Sequence, residues 1–286
     1  MRQPIVDGQF YEANPKALIK QIESCFKDNL GPGSLPSKKS RKKNIIGVIC
    51  PHAGYMFSGN CQAFSYKELA EAKAPELYIL FGLSHNGFES CISIEDWKTP
   101  LGVLKNDREF GDLLSKISGL PIDELPHQNE HSIEVQLPFL QFVNKEKNFK
   151  ILPIIISPDI NLKEFAKNLK KVIDQTNKTA ILIASSDFIH YGYNYGFAPF
   201  KDNIKENMCR LDSGAIEKIK NMDSEGFLSY IKKTGATICG QYPVAALIEA
   251  AKLLGAKKAE LLKYYTSAEI SGDYSNSVGY ASVIIK

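Results

Sequence analysis

The sequence predicts an α/β fold, a single-domain layered sandwich with a mostly parallel or mixed central sheet. Short apolar runs alternate with amphipathic segments along almost the whole chain, which is the pattern of strands connected by helices. The strand-like runs are apolar at nearly every position, as in strands that helices cover on both faces. Neither an internal repeat nor a low-complexity linker divides the 286 residues, so we expect one domain over residues 1–286.

Local signals mark the successive elements. Asn14 is a favourable N-cap, Pro15 suits the first helical position, and apolar residues at helical spacing carry this helix to about residue 29. The strand around which the chain is organised follows at 45–50, and Pro51 ends it. Further strands are predicted at 77–81, 91–94, 151–156, 180–184, 261–265 and 278–285. Further helices are predicted at 60–72, 107–118, 161–175, 200–220, 223–233 and 241–254.

Three stretches are less regular. Trp97, the only tryptophan, is expected to anchor a turn at 97–102. Ser132 is expected to cap a short helix that Pro138 kinks, because proline removes a backbone donor from the helix. Pro153 interrupts an apolar run, which indicates a bulge or an edge strand.

Composition excludes several classes of function. Hydrophobic residues make up 44% of the chain, enough for a substantial core, and 35 basic against 32 acidic residues give a net charge of only +3, so nucleic acid is not an expected partner. The basic cluster at 38–43 is interpreted as a solvated loop, with phosphate or anionic lipid as the alternative ligand. No long apolar run predicts a membrane span, and the first residues lack a signal-peptide core, so we expect a cytoplasmic protein.

Polar side chains follow three of the apolar runs directly. His52, His85 and Asp187 each come just after a predicted strand, and ligand sites of α/β sheets lie beyond the carboxyl ends of the strands. Imidazole is the commonest protein ligand of zinc, copper and iron. The spacing therefore predicts one metal-binding or catalytic site at this edge of the sheet.

The residues alone do not decide which side chains complete the ligand set. Cys239, in a turn-like context, offers a thiolate, and a His/His/Cys set favours zinc, copper or iron. Asp187 offers a carboxylate instead, and a His/His/carboxylate set favours non-haem Fe(II); its other roles are to orient an imidazole or to cap the next turn. His190 is a candidate general acid/base or further ligand. Glu130 and His131 are expected to support the ligands from behind or to cap the kinked helix.

Two other classes of function compete with a metal centre. Cys239, with a histidine and an acid, could be the nucleophile of a hydrolase, although no G-x-S-x-G elbow is present. A non-enzymatic module could use the same cleft to bind a peptide or small molecule. The absence of G-x-G-x-x-G and Walker motifs argues against nucleotide binding.

The sequence resembles the Memo family, named for a mediator of cell motility, whose microbial members are called AmmeMemoRadiSam system protein B. The resemblance spans nearly the whole chain, with Asp7 and Glu12 standing where the family pattern has Ala and Pro. The motifs that carry it are Met1-Arg2-x-Pro4, Gly8-x-Phe10-Tyr11, Pro51-His52-Ala53-Gly54-Tyr55, Ser58-Gly59, Gly82-x-Ser84-His85, Thr99-Pro100-Leu101-Gly102, Glu130-His131-Ser132-Ile133-Glu134-Val135-Gln136-Leu137-Pro138-Phe139-Leu140, Ser185-Ser186-Asp187-Phe188-x-His190-Tyr191-Gly192, Cys239-Gly240 and Val278-Gly279-Tyr280-Ala281.

The family is similar in fold to the class III (LigB-type) extradiol dioxygenases, and this resemblance implies roles for five residues. His52, His85 and Cys239 match the positions of the dioxygenase iron ligands, with Cys239 in place of a Glu, which argues against ring cleavage. Asp187 and His190 match polar positions of the family cleft, with His190 at the place of the acid/base.

The same resemblance implies partners and cofactors. It implies iron or copper binding, with zinc as a further option, and a metal-dependent redox activity. In animal members it also implies binding of phosphotyrosine peptides. The microbial family name implies work beside a radical-SAM protein and an AMMECR-type protein.

Overall fold

The computed structural model describes residues 1–37, 44–145 and 148–286, so the predicted basic loop at 38–43 lies outside the described residues. The strands are β1 (Gly47–Cys50), β2 (Leu77–Gly82), β3 (Cys91–Ile92), β4 (Trp97–Thr99), β5 (Gly102–Leu104), β6 (Lys150–Ile155), β7 (Ala180–Ser185), β8 (His190–Gly192), β9 (Ala259–Thr266) and β10 (Asn276–Ile285). The helices are α1 (Pro15–Lys27), α2 (Tyr55–Glu71), α3 (Arg108–Ser118), α4 (Leu125–Gln128), α5 (Leu137–Val143), α6 (Leu162–Thr176), α7 (Ile204–Lys220), α8 (Ser224–Thr234), α9 (Gln241–Leu253) and α10 (Ala268–Ser271).

A mixed sheet forms the centre of the molecule. Within the described residues it has eight strands in the order β3-β6-β2-β7-β1-β10-β8, with β9 paired to β10. The four central strands β6, β2, β7 and β1 are parallel, whereas β3 and β10 run antiparallel to their neighbours. The predicted α/β class with a mostly parallel or mixed sheet is confirmed. The continuous sheet favours one domain, which stays a prediction.

Apolar cores lie on both faces of this sheet. Along β2, Ile79 and Phe81 face one core with α3, α6 and α9, while Tyr78 and Leu80 face the other with α1, α2 and α5. Successive side chains of a strand point to opposite faces, and here both faces are buried. This burial on two sides explains why the strands read as continuous apolar runs.

Helix α2 begins at Tyr55, five residues before its predicted start at residue 60. Most of its length is buried, including polar residues such as Ser58 and Gln62. A helix that is buried nearly all round has no single apolar stripe. Periodicity therefore detects this helix only from residue 60 onward.

The predictions for the two prolines are wrong. Pro138 lies in the first turn of α5, where a missing donor costs nothing, so it starts the helix rather than kinking it; Ser132 does not cap that helix, since its hydroxyl contacts Leu83 O. Pro153 pairs in continuous register within β6, between β3 and β2. Its carbonyl accepts from Ser93 N just beyond β3, so its missing N–H falls where the neighbouring strand has ended.

No helix of the described ranges is long and apolar enough to cross a lipid bilayer.

Candidate metal centre

The site lies at the carboxyl ends of the parallel strands. His52 follows β1, His85 follows β2 and Asp187 follows β7. The backbone N of His52 donates to Asp187 Oδ1 at 2.8 Å, and the rings of His52 and His85 have their centroids 5.5 Å apart. Parallel strands end at one edge of a sheet, and this edge brings together three residues that are up to 135 positions apart in the chain.

Three histidines form a compact donor set. One ring nitrogen from each of His52, His85 and His131 lies within 4.8 Å of the others. The rings of His85 and His131 stack at 4.5 Å, and His52 meets His131 edge to face at 5.6 Å. An arrangement of three imidazole donors could hold one metal ion of the zinc, copper or iron type.

The tautomer of His52 follows from its hydrogen bonds. Its Nδ1 lies 2.9 Å from Ser185 Oγ, and that hydroxyl donates its one proton to Ser132 O at 2.6 Å. The same oxygen accepts from Gln136 Nε2 at 2.9 Å. Ser185 can therefore only accept from His52, so Nδ1 carries the proton and Nε2 keeps its lone pair for a ligand.

Glu130 fixes His85 in the same way. Its carboxylate lies 2.9 Å from His85 Nδ1 and also accepts from the backbone N of His85 at 2.7 Å and of Ser132 at 2.8 Å. Burial opposes the charge of Glu130, but these hydrogen bonds and His85 outweigh it and lower its pKa to about 2. Burial also lowers the pKa of His85, yet the bond and charge of Glu130 raise it overall. A carboxylate behind an imidazole is the usual support of a metal-binding histidine.

The other two histidines are held neutral. Burial, followed by the nearness of His131 and His85, moves the pKa of His52 well below its ordinary value. Burial also lowers the pKa of His131, against the pull of Glu130. Metal binding requires an unprotonated imidazole, so these shifts favour a cation over protons.

Cys239 lies beside the donor set. Its Sγ is 3.3 Å from His52 Nε2 and accepts from the backbone N of Asp187 at 3.3 Å, but it is not in the group of three donors. Burial, then the charge of Asp187, raises the pKa of the Cys239 thiol, which disfavours the free thiolate that a cysteine hydrolase needs. Its role as a ligand stays a prediction.

Asp187 and His190 flank the donor set. Burial raises the pKa of Asp187, although His190 and the backbone N–H of His52 pull it down; its Oδ2 lies 4.0 Å from His52 Nε2. His190 Nδ1 donates to Thr237 O at 3.0 Å, because a carbonyl can only accept. A neutral His190 therefore keeps its lone pair on Nε2, as a general base requires.

The structure also places residues that the sequence left uncertain. His131, expected behind the ligands, stands in the donor set itself; it follows no strand, so only its position next to an acid hinted at it. His127 is buried against Cys91, with Nε2 3.5 Å from the sulfur, and lies outside the three-histidine group. Sequence reasoning gave no role to Arg2 or Glu134, which are both buried.

Fold and site together define an α/β protein with a histidine-rich candidate metal centre at the carboxyl edge of a mostly parallel sheet. A family model described as Memo-like protein matches residues 2–284, and the chain belongs to this family, which is related to the LigB-type extradiol dioxygenase fold. A MEMO1 family protein of Methanopyrus kandleri is 40% identical over 291 aligned positions that cover 100% of this chain and 99% of the relative.

Other relatives match over the same extent. A MEMO1 family protein of Methanosarcina barkeri is 39% identical and is covered completely, as is this chain. Another, from Desulfurococcus amylolyticus, is 41% identical over 99% of this chain and 98% of the relative. These names state a family and no activity.

Proposed function

We propose that this chain is a metal-binding redox protein that holds iron or copper, with zinc as the next choice, at the three-histidine group. The observation that supports it is the donor set: three imidazoles converge, and two of them have their second nitrogen fixed by a hydrogen bond. Such a constellation is what a metal centre needs, because each fixed ring presents a lone pair. When bound, an iron or copper ion would supply one-electron chemistry that side chains lack.

The ligand set has two versions. His52 and His85 belong to both, and the third ligand is either His131 or Cys239. The sulfur is 3.3 Å from His52 Nε2, so it lies beside a nitrogen that both versions use. Its raised pKa means that a cation would have to displace the thiol proton.

Other side chains of the cleft would handle protons. His190 Nε2 is free to accept one, since Thr237 O occupies Nδ1. Asp187, through its bond to the backbone of His52, would keep that ring in position. We therefore assign His190 as the acid/base and Asp187 as a second catalytic group of the same cleft, which positions His52.

Metal analysis of protein purified without chelator tests this function. We expect about one iron or copper per chain in the wild type and almost none in His52→Ala/His85→Ala, because both versions need these rings. Equal, negligible metal in both proteins after incubation with anaerobic Fe(II) and with copper would overturn the proposal. Cys239→Ser and His131→Asn, compared side by side, then identify the third ligand: the true one loses the metal, and a bound thiolate gives copper a charge-transfer band that Cys239→Ser abolishes.

The partners follow from the resemblance alone. We propose a small molecule or peptide as the ligand of the cleft, a cytoplasmic location, and a radical-SAM protein and an AMMECR-type protein as neighbours, as the microbial family name suggests. Co-purification with tagged protein from native cells tests the last point.

A further inference from the structure

The N-terminal strap, residues 2–11, is bound to the segment that carries Glu130 and His131. It is anchored at one end by the backbone, since Arg2 N donates to Asp96 O and Lys98 N donates to Arg2 O. The side chain of Arg2 is only 3% exposed. A guanidinium is rarely buried without a reason, so its partners are informative.

Arg2 directs most of its donor fork to one segment, the site loop, residues 127–134, and its Nη1 also donates to Gln3 O at 2.9 Å. Its Nε donates to His127 O at 2.9 Å and its Nη2 donates to Glu130 O at 2.7 Å. Its Nη1 pairs with the carboxylate of Glu134. The guanidinium also lies 4.3 Å from the ring centre of Trp97. Lysine has three N–H donors, so among basic side chains only the five-donor fork of arginine can satisfy these four acceptors.

Glu134 of the site loop binds the strap in turn. It is completely buried and accepts from the backbone N of Ile5 and Val6 at 3.1 Å and from Tyr11 Oη at 2.6 Å. Strap and site loop thus hold each other through a buried ion pair and four further hydrogen bonds to Glu134 and Glu130. Removing one charge of such a pair is costly because the other is left without a partner.

The contacts between the strap and the site loop extend to the donor set. Arg2 fixes the backbone carbonyl of Glu130, whose carboxylate holds His85 at both Nδ1 and the backbone N. The next residue is His131, and Phe10 of the strap meets its ring edge to face at 4.9 Å. Two of the three donors therefore depend on where the site loop sits.

We propose that Arg2 is a positioning residue: it sets the site loop so that His131 and, through Glu130, His85 face a shared cation. The proposal deepens the proposed function and rests on it for the cation. It also predicts an effect in metal-free protein, which separates the two ideas.

The main variant is Arg2→Gln/Glu134→Gln, which removes the ion pair without leaving one charge buried alone. The control is Asp107→Ala, which removes another buried carboxylate that is paired, with Lys178 and Lys150, outside the site. Arg2→Lys keeps a positive charge beside Glu134 but has too few donors for all four acceptors, so it serves if the double variant does not fold. Each protein comprises residues 1–286.

The first measurement is amide hydrogen exchange in chelator-treated protein. The backbone N–H groups of His85 and Ser132 both donate to Glu130. We expect them to exchange at least about tenfold faster in the double variant and in Arg2→Lys, beyond the change in β7 amides, and not in Asp107→Ala. A change at these two amides no greater than in the control would overturn the positioning role.

The second measurement is a Co²⁺ titration followed by visible absorbance. We expect affinity to fall about tenfold to a hundredfold in the double variant, as for other groups that orient metal ligands, and to stay within about twofold in Asp107→Ala. Wild-type affinity in the double variant would overturn the inference. If wild-type protein binds neither Co²⁺ nor iron or copper, the proposed function fails, and the exchange rates alone decide whether Arg2 positions the loop.

Discussion

Glu130 joins the support of the donor set to the backbone around it. It is 1% exposed, yet it stays ionised because His85 and two backbone N–H groups bind it. A folded pKa of about 2 lies below the ordinary value of 4.5. Its contribution to stability is therefore present above about pH 4.5 and is lost as the pH falls toward 2.

Replacing this carboxylate gives a prediction at a single residue. In Glu130→Gln, we expect the pKa of His85 to fall, since the group that raises it is gone and burial remains. We also expect metal affinity to fall about tenfold to a hundredfold. NMR titration of the His85 ring and a metal titration measure the two effects. Glu124→Gln, which alters another loop-fixing carboxylate, is the control, and equal behaviour of both variants would contradict the assignment.

Asp212 gives a second prediction at this scale. Its carboxyl is fully buried in α7, accepts from Ile189 N and Tyr264 Oη, and burial raises its pKa from 3.8 to about 7. The folded state therefore holds this proton more tightly than the unfolded state, so stability falls as pH rises from about 4 to about 7.

Asp212→Asn removes that titration with little change of shape. Between pH 5 and pH 8, we expect the unfolding free energy of the wild type to fall by about 2–3 kcal/mol more than that of the variant, because each pKa unit is worth about 1.4 kcal/mol. Urea unfolding at both pH values measures it. The same difference between the two proteins at pH 5 and pH 8 would show that Asp212 does not titrate in this range.

The sequence could predict part of the site and not the rest. His52, His85 and Asp187 follow apolar strands, so the general rule for α/β sheets brings them to one edge. His131 precedes a 3₁₀ turn, and its approach depends on the strap and on Glu134, contacts between positions more than 120 apart. No local pattern encodes such a pairing.

At the scale of helices and strands, the residue that precedes α9 packs closely against the end of β7. A methyl group on Gly240, the residue before α9, would lie 2.4 Å from Ser185 O and from Ser186 Cβ. Gly240 N also donates to Ser186 Oγ at 3.1 Å. This close approach holds Cys239 against His52.

Gly240→Ala is therefore expected to force the two elements apart. We predict a loss of about 1–3 kcal/mol of unfolding free energy from overpacking, together with weaker metal binding if Cys239 is a ligand. Gly54→Ala is the control, since its methyl would meet nothing nearer than 3.5 Å. Chemical denaturation measures both, and equal losses would mean that the packing at Gly240 is not tight.

At the scale of helices and strands, the sequence predicts correctly those elements that have a regular hydrophobic pattern. Strands such as β2 and β7 are predicted correctly because helices bury both of their faces. Burial on all sides erases the period at the start of α2, so the sequence predicts a later start. The predictions for Pro138 and Pro153 are wrong because the role of each proline depends on which backbone donors its neighbours need. That demand is a property of the assembled sheet.

For the molecule as a whole, the sheet edge acts as a scaffold for groups far apart in sequence. The donors come from the loops after β1 and β2 and from the site loop, and each loop is fixed by buried hydrogen bonds. A cation that bridges three loops binds the folded chain and not the unfolded one. Metal binding and folding should then be thermodynamically linked.

This linkage gives the last prediction. At a free metal concentration of about 100 times Kd, we expect the wild type to gain about 2.7 kcal/mol of unfolding free energy, and Tm to rise by roughly 5 °C for a chain of this size. Chelation should reverse the gain, and His52→Ala/His85→Ala should show none. Calorimetry with and without metal measures it. An equal rise in the double variant would place the cation elsewhere on the chain, because the stabilisation would then not depend on the rings of His52 and His85.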